Sequence, residues 1–360
     1  MRILKQISIQ AAFAACMLPF IFPAIVQAQP DTLWVQAIRN GSMPMEVIRT
    51  ADGGFVIGGS GWCGDEDRRD QDFSIIKTDS VGSIEWREFY TLIHDTTHYT
   101  EKAYSIEQLP DGGFILSGRG VGGGMIVRTD STGEMLWSRV YDIPNWFYDS
   151  ALTDDGNIVV VSVTDAARKI DMEEGEIVWQ NRYTEESGGR FWNITNTADG
   201  GFLLTGEISS IGEGSADMYA VKIDRDGEME WYNTYGTEYF EVIGHAVQTA
   251  DGGYCLVGGS AREHGYNYGM IVRADSEGEE IWRNIFADED DNIIMSFLLV
   301  VVETPDGGFA VGRDGFRNFI RLGRLNSEGE LLWSKEYIIP DSQGPDPFSL
   351  FLMCTILAMC

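Results

Sequence analysis

Histidine is scarce in this sequence. Four histidines in 360 residues leave little material for a catalytic or metal centre built on several imidazoles. Cysteine is scarce as well. Of the five, Cys63, Cys255, Cys354 and Cys360 lie beyond the N-terminal apolar segment, too few and too scattered for a disulfide scaffold. Cys255 stands inside an apolar strand and reads as a small packed residue. Basic residues number 26 against 56 acidic ones, for a formal charge of −30. So negative a surface repels phosphate backbones and excludes nucleic acid as a partner. Helical periodicity of useful length is missing. So are a Gly-x-Ser-x-Gly elbow, a phosphate-binding loop and a Cys/His nucleophile set.

One long apolar run is present, at the start. Arg2 and Lys5 precede an apolar stretch from Ile7 to Val26, and Val26-Gln27-Ala28 supplies permitted residues before a cleavage point. Residues 1–28 therefore read as a secretory signal peptide, which places the mature chain outside the cytoplasm, secreted or periplasmic. Pro19 and Pro23 interrupt the run and no basic stop-transfer segment follows. The mature chain is expected to carry no membrane span.

What fills the rest is a repeat. Asp-Gly-Gly or a close variant recurs at Asp52, Asp111, Asp155, Asp199, Asp251 and Asp306, each followed by Phe55, Phe114, Ile158, Phe202, Tyr254 or Phe309 at the head of an apolar strand. Asp-Gly between apolar runs is a strong hairpin signal, because glycine accepts the positive φ of a tight turn. Tryptophan recurs at 34, 86, 137, 179, 231, 282 and 333, at intervals of 42 to 52 residues. In five units an Asp or Asn stands seven residues before the tryptophan, with Gly three residues after it. Each repeat offers four short strands, a to d, with Asp-Gly-Gly between a and b and the Asp-x-x-Gly turn between c and d. Four antiparallel strands in about 50 residues, repeated, make a β-propeller blade. The fold class is all-β.

These residues resemble the DGG-type propeller repeats of secreted bacterial proteins. The Asp-x-x-Gly-x-x-x-Trp element, as in Asp224 to Trp231, is similar to the tryptophan-docking motif of quinoprotein propellers and of related outer-membrane assembly lipoproteins. The resemblance covers residues 31–337 and implies the architecture. No positions match a quinone-binding set, so it does not carry that cofactor over.

Six units hold all four strands, yet there are seven tryptophans. Thr32-Leu33-Trp34-Val35-Gln36 reads as a strand d without its partners, as when a propeller closes by pairing one terminus into the blade begun by the other. Residues 29–340 then form the propeller. The apolar remnant 341–360 holds the start of a seventh blade whose remaining strands do not follow. The expectation is seven blades with an incomplete, split last one; the alternative is six. That apolar tail is too short to span a membrane, which takes about 20 residues.

Function is less legible. The b–c and d–a connections share one face and vary in length, and ligands or partners are expected there. Six residues before each turn aspartate stand Glu46, Ser105, Asp149, Asn193, His245 and Val300, towards the loop-face end of the innermost strand. Glu46, Asp149, Asn193 and His245 are the candidate ligand-binding residues, lining a solvated pocket at the mouth of a central channel; the competing reading has them bonded to water or to neighbouring backbone. Acidic loops at Asp65, Asp67 and Asp70 and at Asp288 and Asp290 offer oxygen ligands for Ca²⁺, but neither has the spacing of a known calcium loop. His94 and His98 lack the further ligands that zinc requires. No cofactor is expected. The reading is a non-catalytic secreted binding or scaffolding propeller that meets a protein, glycan or surface through its loop face. The alternatives are a propeller hydrolase, lyase or quinone-dependent oxidoreductase, or a lectin-like module stacking sugars on Trp62, Trp146, Trp192, Tyr266 and Tyr268.

Overall fold

Each Asp-Gly-Gly turn closes through its own side chains. At the fourth, Asp199 Oδ1 accepts from the Gly201 amide at 2.9 Å and from Thr197 Oγ1 at 2.5 Å, while Gly200 takes φ 82°. The left-handed conformation and the short acceptor explain why Asp-Gly is needed at this place. The same turn recurs along the chain, and strands a, b, c and d pair antiparallel in sequence order.

The computed structural model describes residues 42–61, 71–91, 100–143, 145–164, 166–184, 188–261, 267–286, 295, 298–315 and 319–338. The chain divides into two units, 1–32 and 33–360, and all described residues belong to the second. Among them are six four-stranded antiparallel sheets and no helix, hence none long and apolar enough to cross a membrane. The sheets cover 42–90, 102–141, 147–182, 189–235, 240–285 and 300–338. Strand a of each sheet adjoins strand a of the next, as in consecutive blades of a β-propeller. The fold is all-β with six blades by sheet count. The segment read as a signal peptide, residues 32–36 around Trp34 and the remnant 341–360, on which a seventh blade depends, lie outside the described residues.

Strands b and c are buried almost throughout, including Phe202, Leu203, Leu204, Tyr219, Ala220 and Val221. Strand d alternates and carries the tryptophan outward over the following blade. There the indole lies on the glycine of the next Asp-x-x-Gly turn: Trp86 over Gly133, Trp137 over Gly175, Trp179 over Gly227, Trp231 over Gly278 and Trp282 over Gly329. A Cβ at Gly133 would stand 2.6 Å from the Trp86 ring, so these turns need glycine for space as well as for φ. Four residues after the tryptophan, a tyrosine hydroxyl donates to that glycine's carbonyl: Tyr90 to Gly133 at 2.8 Å, Tyr141 to Gly175 at 2.8 Å, Tyr183 to Gly227 at 3.0 Å and Tyr235 to Gly278 at 2.6 Å. Full burial of an indole covers about 150–250 Å², on the order of 4–6 kcal/mol at 25 cal/mol per Å². These indoles are partly buried, and the contact repeats at each described junction.

A second bond runs within each blade. A lysine or arginine near the end of strand c reaches under the a–b turn to its aspartate: Lys77 to Asp52 at 2.9 Å, Arg128 to Asp111 at 2.9 Å, Lys169 to Asp155 at 2.6 Å, Lys222 to Asp199 at 2.8 Å, Arg273 to Asp251 at 2.6 Å, and Arg324 to Asp306. The turn aspartate thus caps its own turn and neutralises a cation taken out of water.

Candidate functional site

In the first five blades the residue six before the turn sits inside strand a, one residue past a β-bulge, whereas Val300 opens its strand. The pairing of strand a with strand b shifts between Pro44 and Glu46, Ala103 and Ser105, Phe191 and Asn193, and Ile243 and His245. The extra residue lengthens the inner strand, so the row lies deeper than the loop-face end where the sequence had suggested it.

Glu46, Asp149 and Asn193 come together in one network, through Ser105. Glu46 Oε2 accepts from the Ile106 amide at 2.7 Å, and its carboxylate also meets Ser105. The Ser105 and Ser150 hydroxyls are 2.9 Å apart. Asp149 accepts from the Ser150 amide and from the Ile194 amide, each at 2.9 Å, and is bonded to Ser105 and Asn193. His245 occupies the same place further along and is hydrogen-bonded to the Val301 backbone. In three blades, then, the row residue is bonded to the backbone of the next blade at the same position, five residues before its turn aspartate.

The carboxylates also act on one another. Burial, then repulsion from Asp149 and Glu107, raises Glu46 well above its ordinary value. Burial, then Asp149, pushes Glu107 up to about 8. Burial raises Asp149 to about 6 against the pull of the Ile194 and Ser150 amides. His245 is lowered to about 4 by burial, so its imidazole is neutral at pH 7. Glu107 was missed in the sequence because its equivalents are Ile48, Ala151, Thr195, Val247 and Val302. The one signal was a carboxylate at an otherwise uncharged position. Among the described residues no three of His, Cys, Asp and Glu meet as metal ligands. Asp65, Asp67, Asp70, Asp288, Asp290, His94 and His98 lie outside the described residues.

The loop face shows two built features. The first joins the fourth and fifth blades. Asp217 opens strand c of the fourth blade, is almost wholly buried, and accepts from the Glu213 amide at 2.5 Å. Gly212 and Gly236 pack against its carboxylate so closely that a Cβ on either would collide with it. Burial pushes Asp217 up to about 6. Beside it Glu241, fully buried, accepts from Thr237 Oγ1 at 2.6 Å, the Thr237 amide at 3.0 Å and Ser260 Oγ at 2.7 Å. The Ser215 amide donates to the Tyr239 carbonyl at 3.0 Å. Two buried carboxylates thereby fasten loop 209–215 to segment 236–240 and leave Ile211 and Phe240 each 39% exposed. The first and second blades repeat part of this device: Asp72 accepts from Thr91 at 3.0 Å, and Glu101, also buried, donates its amide to Gln71 as Glu241 does to Ala216.

The second feature is a cavity of about 480 Å³ on the second blade, bounded by the b–c turn Gly120–Gly123 and the connection to the third blade. The bulge residues of three inner strands form an aromatic series, which Trp146 meets at Tyr148, 6.3 Å away. Tyr104 stacks on Tyr148 at 5.0 Å, and Tyr148 meets Trp192 edge-on at 4.8 Å. Of the aromatic residues expected to stack sugars, Trp146 lines this cavity and Trp192 borders the series, whereas Tyr268 is buried in strand c. Trp62 and Tyr266 lie outside the described residues.

A family model agrees with the architecture. The model of a family described as outer membrane protein assembly factor BamB matches residues 82–314. A solved structure, that of a protein of unknown function from Bacteroides caccae, is similar at 16% identity over 78% of this chain and 93% of that chain, with a TM-score of 0.45. No curated protein matches the chain.

Proposed function

Since the chain belongs to the outer membrane protein assembly factor BamB family, we propose that it is an extracytoplasmic, non-catalytic propeller that binds a protein partner through its loop face. The observation that carries this reading is the platform at the fourth and fifth blades. Loops usually cover a surface with their own mobility, and ordering them on binding costs free energy. Here two buried carboxylates and two close-packed glycines hold loop 209–215 and segment 236–240 in place before any partner arrives. Ile211 and Phe240 stand on that support as exposed apolar anchors, the kind of residue that dominates protein interfaces. The inner carboxylates Glu46 and Asp149 are engaged with neighbouring backbone, a scaffolding use. The N-terminal segment read as a signal peptide supports an address outside the cytoplasm.

Site-specific photo-crosslinking tests the reading. A crosslinker at Ile211 or Phe240 is expected to capture the same protein in cells exporting the chain, and Gly236→Ala is expected to abolish both adducts by unseating the platform. A crosslinker at Leu332, exposed on an outermost strand, serves as the control. Adducts from 211 and 240 no more abundant than those from 332 would overturn the proposal.

A further inference from the structure

The cavity on the second blade has no part in the platform described above, and its wall has a distinct chemistry. We propose that it is a saccharide site, shaped for a hexopyranosyl unit of an uncharged oligosaccharide. Its size falls within the roughly 300–1,000 Å³ of small-molecule pockets. Trp146 provides the aromatic surface. The guanidinium of Arg119 sits 4.2 Å over one face of the indole and holds the ring, so a sugar would stack on the opposite face. Among the described residues Arg119 makes no ion pair, and its guanidinium carries five N–H donors beside the cavity. Asp142 and Asn145 line the same wall, and the backbone of Gly122 and Gly123 closes it without side chains.

Ring face, carboxylate, amide and guanidinium together suit a ligand with an apolar face and a rim of hydroxyls, each hydroxyl both donor and acceptor. The electrostatics select among such ligands. At −30 overall, with Asp142 in the wall, the chain repels acidic polysaccharides and nucleotides at long range. A neutral sugar approaches without that penalty, and Arg119 and Asp142 serve opposite ends of its hydroxyl pairs.

The experiment is titration of the full chain with neutral hexo-oligosaccharides drawn from a glycan array, followed by calorimetry and tryptophan fluorescence. Saturable binding is expected, weakened about tenfold or more by Trp146→Ala. Asp142→Asn is expected to weaken it similarly; Asp142 is exposed, so this variant stays folded. Four outcomes would overturn the proposal: no neutral oligosaccharide bound, binding unchanged in a folded Asp142→Asn chain, tighter binding of uronate oligosaccharides than of neutral ones, or tighter binding of a free aromatic amino acid.

Discussion

The ammonium of Lys222 stands 2.8 Å from Asp199 Oδ2 and 2.8 Å from Glu230 Oε2, with 3% of the lysine side chain exposed against 55% and 46% of its two partners. The asymmetry decides which substitution hurts. Removing the buried cation in Lys222→Met leaves two carboxylates that water already reaches, and the methionine fills the lysine's apolar stem. A loss of about 1 kcal/mol is expected. Removing the partner in Asp199→Ala leaves a buried ammonium with one carboxylate and also strips the turn of its cap, for about 2–3 kcal/mol. Denaturant midpoints should rank Lys222→Met above Asp199→Ala. The reverse order would mean that the aspartate acts only as a turn residue.

The same pairs set the acid limb of stability. Burial by itself would raise Asp199, yet Lys222, Thr197 and the Gly201 amide bring it to about 2; Asp155 is held at about 2 by Lys169 and Thr153 against the same opposing effect of burial. A carboxylate depressed in the folded state stabilises above its unfolded value, about 3.9, and that contribution fades as pH falls towards the folded value. All six turn aspartates are lowered, so unfolding free energy is expected to drop as pH falls below about 4. Asp199→Asn should make the drop shallower, as read by denaturation at a series of pH values.

The inner carboxylates act in the opposite direction. Glu107 is raised to about 8 by burial and by Asp149, so the folded chain holds a proton there that the unfolded chain has lost above about pH 4.3. Stability must then fall as pH rises through that interval and level off above the folded value. Glu107→Gln keeps a neutral, hydrogen-bonding side chain in place. It is expected to leave stability near pH 5 almost unchanged and to raise the denaturant midpoint at pH 9. A variant no more stable than the parent at pH 9 would show that Glu107 is solvated and ordinary.

How far the fold could be read depended on whether a feature repeats. The turn aspartates and the tryptophans recur in every blade because each solves a problem that every blade has, and such a repeat is visible in one sequence. The blade order, the hairpin turns and the tryptophan contact were legible for that reason. The cation under each turn was present in the repeat too, at Lys77, Arg128, Lys169, Lys222, Arg273 and Arg324, but its partner is found only when strand c is laid beside the a–b turn. Site features recur once or not at all. Asp217 and Glu241 have counterparts in Asp72 and Glu101, Glu107 has none, and an acid in a strand looks like surface until the register places it. The bulge hid the aromatic series in the same way, since Tyr104, Tyr148 and Trp192 share a position that only an inserted residue creates.

The tryptophan contact predicts a coupling as well as a loss. Trp231 lies on Gly278, which has φ 80° and where a Cβ would come 2.6 Å from the indole. Trp231→Ala removes a large, partly buried ring and is expected to cost about 3 kcal/mol. Gly278→Ala brings two penalties: about 1 kcal/mol for the left-handed backbone and a further cost for displacing the indole. In the double variant the collision no longer exists, because the ring it needs is gone, while the backbone penalty remains. The combined loss should therefore fall short of the sum by about 1–2 kcal/mol, a coupling that separate sites would not show. Tyr235→Phe, which deletes the 2.6 Å bond to the Gly278 carbonyl, should cost only about 1 kcal/mol. Phe286 stands four residues after Trp282, so the fifth blade already lacks that hydroxyl. Thermal and denaturant unfolding of the four variants would measure the cycle. Simple additivity of Trp231→Ala and Gly278→Ala would mean that the glycine is required for its φ alone.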